Sequence, residues 1–166
     1  NAREMDTLRF RADTKINDII RKTAAETQVF LADTVAAFEQ HSDQGIPGDA
    51  LFYEHVHMNF SGNYLAAKTM MSQIEKALPE SIAKCRSIDT SLLTQEGCSR
   101  QLAYTAWDEH RIAGIVLNDY LKKPPFNTRL YAHTQIETLT QDLAMLQQNL
   151  TASVLRDSLA QYAWAT

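Results

Sequence analysis

The chain has 166 residues, 45% of them hydrophobic, enough for one modest core or one core with a helical extension packed on it, and too few for more than two domains. The 16 basic and 20 acidic residues leave a net charge of -4, and no window gathers Lys and Arg into a run, so the sequence carries no footprint for nucleic acid or an anionic membrane surface. No apolar stretch is long enough to span a bilayer, and the first residues lack the basic-then-apolar layout of a signal peptide, so a soluble chain is expected and its compartment stays open.

The sequence starts at Asn1 rather than a methionine, as an excerpt or a processed product would. Its two cysteines, Cys85 and Cys98, fit neither a close-spaced metal motif nor a redox pair and read as ordinary thiols.

Asp13 precedes apolar residues at Ile16, Ile19, Ile20 and Ala24, a helical spacing with a carboxylate placed to cap the first N–H groups. The continuous apolar run Val29-Phe30-Leu31-Ala32-Asp33 reads as a short parallel strand buried on both faces. Val35, Ala36 and Phe38 suggest a short helix, and Gly45, Pro47 and Gly48 supply a turn. After Gly62, Leu65, Ala66, Met70, Ile74 and Leu78 mark an amphipathic helix that Pro79 ends. Helix, strand, loop and helix over residues 1–80 make half of an α/β layer.

Residues 81–166 show helical periodicity only and are read as a separate extension, which leaves the chain predominantly helical with about one parallel strand. Thr105 and Asp108 form a variant capping box ahead of Trp107, His110, Ala113, Leu117 and Leu121, and Pro124-Pro125 closes that helix. Ile136, Leu139, Leu143, Leu146 and Leu150 then follow the three-and-four spacing of a helix-packing seam, which Val154, Leu155, Leu159 and Tyr162 continue, as one helix or two joined near Asn149.

The segment between the turn and Gly62 carries the chemistry. It reads Glu54-His55-Val56-His57-Met58-Asn59, with a carboxylate three residues before an imidazole. A histidine acting as general base needs a partner that fixes its tautomer and stabilises the imidazolium, and Glu54 can do this for His57. Gly62 lets the chain enter the following helix tightly, and Asn59 reads as a residue that shapes the turn.

These residues resemble the closing block of the SGNH (GDSL-type) hydrolases, an acid-x-x-His-Pro-Asn sequence followed by Gly and a helix. The resemblance covers about the first half of the chain, where Asn17 on a helix and the run 29–33 stand in the family's order. It implies the C-terminal part of a three-layer α/β/α domain over residues 1–80, with His57 as the base that deprotonates a serine and Glu54 as its acidic partner. It implies an ester as substrate of the full-length protein and no metal or organic cofactor. Glu54 stands where the family usually has the shorter Asp, and Met58 where it has Pro. The family's Gly-Asp-Ser nucleophile and its oxyanion Gly and Asn have no counterpart in this sequence, so the chain alone is expected to be inactive.

Other readings stay open. Glu54, His55 and His57 could ligate a metal, because a His-x-His pair on an extended strand points both rings the same way, but no clear further ligand is offered, since His41 falls in a flexible stretch and His110 and His133 in helical segments far along the chain. His55 could be an incidental loop residue, and the whole loop a structural turn. The domain could also be a catalytically inactive binding or scaffold module. The helical extension reads either as a buttress or as a surface for a protein partner. Around Trp107 and Pro124-Pro125-Phe126 it resembles the connector that leads into tetratricopeptide repeats in some such proteins, but no repeat of about 34 residues is visible.

Overall fold

The computed structural model describes residues 12–84 and 94–150, and the chain divides into two compact units, the first running to Ser87 and the second starting at Ile88. The described residues are predominantly helical. Cys85 and the apolar positions Val154, Leu155, Leu159 and Tyr162 lie outside them.

In the first unit, α1 spans Thr14–Thr27. Asp13 caps it, its Oδ1 accepting the Ile16 N–H at 2.9 Å, as the sequence pattern predicts. The helix ends on Gln28 in the left-handed region (φ 55°), a position that Gly usually fills. The short helix α2 spans Thr34–Gln40. Its N-cap Asp33 accepts the Ala36 N–H at 3.0 Å and is also gripped by Arg21 from α1, through Nε at 2.7 Å and Nη2 at 3.3 Å. This fork ties the two helices and holds the Asp33 carboxyl below its ordinary range, the Arg21 hydrogen bond being the largest cause.

The run 29–33, read from sequence as a buried parallel strand, is not one in the structure. It is an irregular connection between α1 and α2, with Val29 and Phe30 mostly exposed, and no neighbouring strand supplies a ladder among the described residues. A continuous apolar run marks an element that wants covering, but a strand exists only where a second backbone pairs with it.

The long helix α3 spans Phe60–Ala77, and α4 is a single turn at Glu80–Ala83, Pro79 separating the two. The core of this unit joins α2 to α3 and to the loop before α3. It consists of Phe38, Leu51, Leu65 and Ala66, with Ala37, Phe52 and Met58 packed against it. The Phe38 and Phe52 rings meet edge to face, with centroids 5.6 Å apart. Fully burying a side chain the size of Leu contributes about 1.5–3 kcal/mol, so Leu51 anchors the loop, with the partly buried Phe52 packed beside it. By contrast α1 buries only Ala24, and Ile16, Ile19 and Ile20 stay exposed.

In the second unit, α5 spans Gln95–Gln101 and α6 spans Ala106–Ile115, continuing through a π-helical turn at Val116–Leu121. The capping box read from sequence is present. Thr105 Oγ1 accepts the Asp108 N–H, and Asp108 Oδ2 accepts the Thr105 N–H at 3.0 Å. The last helix, α7, spans Ala132–Asn149 and packs on α6 and its π turn. Ala103, Ala113, Val116, Leu117, Leu121, Ala132 and Leu139 form the buried set here. Leu102, Leu130, Tyr131 and Met145 remain exposed.

Candidate active-site loop

The loop from Leu51 to Asn59 is short, and its backbone is cross-braced. Tyr53 N–H donates to the His57 carbonyl at 2.8 Å, and Asn59 N–H donates to the Leu51 carbonyl at 3.0 Å. Phe52 and Met58 face each other as an antiparallel bridge. These contacts close a small ring of chain with Glu54 inside it.

Asn59 anchors the far end. Its Oδ1 caps α3 by accepting the Gly62 N–H at 3.0 Å, while its Nδ2 donates to the Asp49 carbonyl at 3.0 Å. Gly62 is required by close approach, not by φ. A Cβ there would lie 2.2 Å from the Leu51 oxygen and 3.1 Å from Met58 Cβ. The first turn of α3 therefore sits directly against the loop, which only a residue without a side chain permits.

Glu54 is buried, its side chain 1% exposed. The carboxylate folds back over its own loop. Oε1 accepts the His57 backbone N–H at 2.6 Å and also binds His57 Nδ1, while Oε2 accepts the Val56 N–H at 3.2 Å and has His55 Nδ1 against it in an ion-pair contact. Each oxygen thus meets one backbone N–H and one imidazole nitrogen. Burial, the largest single influence, pushes the Glu54 carboxyl up. The His57 N–H, the charge of His55 and the His57 ring together outweigh it and hold the carboxyl below its ordinary range.

The Glu54–His57 pairing expected from sequence is therefore assembled. A carboxylate at Nδ1 selects the tautomer that carries its proton there, which places the basic lone pair of His57 on Nε2. The His57 side chain is 37% exposed and that of His55 14%, so His57 is the ring that reaches solvent.

The sequence reading left His55 as an incidental neighbour or a metal ligand. The structure places it on the same carboxylate as His57. The His-x-His pair does not lie on a strand, because residues 53–56 bend, and the bends turn both Nδ1 atoms inward. Among the described residues no three His, Cys, Asp or Glu side chains group as metal ligands. His41 Nδ1 lies 2.8 Å from the Ala37 carbonyl within α2, and His110 and His133 belong to α6 and α7 of the second unit. Cys98 lies on α5 and forms no disulfide among the described residues. No helix of the described residues is long and apolar enough to cross a membrane.

Compared with known proteins, the chain matches no family model, no curated protein and no solved structure.

Proposed function

We propose that residues 51–66 are the acid–base half of a serine-dependent ester hydrolase of the SGNH type, with His57 as the base and Glu54 as the acid that holds it. The nucleophilic serine comes from a part of the parent protein outside this sequence. The observation that carries the reading is the buried, ionised Glu54 bound to Nδ1 of a partly exposed His57.

In this mechanism the serine Oγ–H gives its proton to His57 Nε2 as Oγ attacks the ester carbonyl. The imidazolium then returns that proton to the leaving alcohol oxygen, and the acyl group passes to the serine. Water, deprotonated by the same nitrogen, attacks the acyl-enzyme; the bond to Oγ breaks, the imidazolium returns the proton to Oγ, and the acid is released. Glu54 stays ionised throughout and stabilises the imidazolium. The steps call on no metal or organic cofactor.

The uncovered apolar residues of the first unit also support the reading. Ile16, Ile19 and Ile20 on α1, with Val29 and Phe30 after it, are apolar and exposed, as a surface that packs against the rest of a larger domain would be. The second unit is then an extension of that domain, predominantly helical over its described residues.

The test is hydrolysis of a short activated ester by the full-length protein. His57→Ala should abolish turnover while leaving the circular dichroism spectrum unchanged. Unaltered turnover would refute the assignment. No turnover in the unsubstituted protein would favour an inactive binding module, with the exposed Leu102, Leu130, Tyr131 and Met145 of the second unit offered to a protein partner.

A further inference from the structure

The Glu54 carboxylate serves two imidazoles, and the second has no part in the proton transfers just described. His55 Nδ1 lies against Oε2 while His57 Nδ1 takes Oε1, and His55 is the more enclosed ring. With the Val56 and His57 N–H groups added, the carboxylate accepts three hydrogen bonds, and His55 Nδ1 makes a fourth contact with it as an ion pair. Without the His55 ring, Oε2 keeps only the Val56 N–H at 3.2 Å, the longer of the two backbone hydrogen bonds to this carboxylate. With the ring against it, Oε2 is held from two sides and Oε1 stays aimed at His57.

We infer that His55 is a positioning residue: its ring holds Oε2 of Glu54, and this keeps Oε1 on Nδ1 of His57. The inference rests on the reading of His57 as the base, since the fixed tautomer matters only if Nε2 must accept a proton.

Nitrogen-15 NMR of the histidine rings in the 166-residue chain tests the proposal without any substrate. In the unsubstituted chain two ring N–H protons should appear far downfield, one from each imidazole, and both should be lost in Glu54→Gln. In His55→Phe, which fills the space without a donor, His57 should lose its single Nδ1–H form and become a mixture of tautomers. His55→Asn, which restores an N–H near the position of Nδ1, should recover the Nδ1–H form.

A His57 tautomer that stays fixed at Nδ1–H in His55→Phe overturns the inference and leaves the Glu54–His57 pair standing. A single downfield ring proton in the unsubstituted chain, from His57 alone, overturns it even if neither His55 variant folds. His57 without an Nδ1–H form in the unsubstituted chain would instead remove the proposed acid–base pair, which separates the two failures.

Discussion

Glu54 accepts the backbone N–H of His57 and also binds that residue's ring, so one carboxylate fixes both the chain and the imidazole at a single position. Glu54→Gln keeps the shape and removes the charge, and a neutral amide cannot offer an acceptor oxygen on both sides. The substitution should destabilise the first unit by about 1.5–3 kcal/mol, the usual worth of hydrogen bonds to a charged group. Hydrogen exchange should show it locally, with the Val56 and His57 amides losing protection while those of α6 and α7 keep theirs.

The stability of the first unit should fall in acid. The Glu54 carboxyl is held below its ordinary value of 4.5, and that of Asp33 below 3.8, in the folded chain. Above those ordinary values both the folded and the unfolded chains are deprotonated, and the full contribution is present. As pH falls below about 4.5 the unfolded chain takes up protons first, and stability drops until the folded groups titrate as well. Urea titrations of the chain between pH 7 and pH 3 should show this decline, and Glu54→Gln should flatten its upper part.

Two glycines should respond in opposite directions to alanine. At Gly62 the new Cβ would meet the Leu51 carbonyl, a backbone atom already engaged by the Asn59 N–H. Neither side can yield cheaply, so Gly62→Ala should cost about 1–3 kcal/mol or more and loosen the loop. Gly114 lies within α6 with nothing within 4 Å of its Cβ direction, and Gly114→Ala should stabilise the second unit by about 0.5–1 kcal/mol. Thermal melts of the two variants provide the measurement.

Thr105 is buried at the start of α6, where its hydroxyl serves the capping box. Thr105→Ala should cost the second unit about 1 kcal/mol and leave the loop amides unaffected. Denaturation followed by the fluorescence of Trp107 on α6 would read it.

Much of this was legible in the residues, for local reasons. Asp13, Thr105 with Asp108, and Pro79 act within one helical turn, and each helix boundary they announce is present. The run 29–33 was misread because strand formation depends on a partner far along the chain. The end of α1 was hidden because Gln28 adopts the left-handed conformation without the glycine that usually announces it. In the loop, acid-x-x-His spacing was enough to pair Glu54 with His57. The place of His55 was not readable, because alternation along an extended chain would send neighbouring side chains apart, and only the bends at 53–56 bring both rings to one carboxylate. A histidine directly after the acid was the available signal.

The central claim is that His57, held by Glu54, activates a serine. The most direct measurement is covalent labelling of the full-length protein with a fluorophosphonate, which modifies serines whose hydroxyl a base has activated. The account predicts a single serine adduct by mass spectrometry, formed about 100- to 10,000-fold more slowly in His57→Ala, the range that a positioned general base supplies. No serine adduct, or one that forms equally fast without His57, would contradict it.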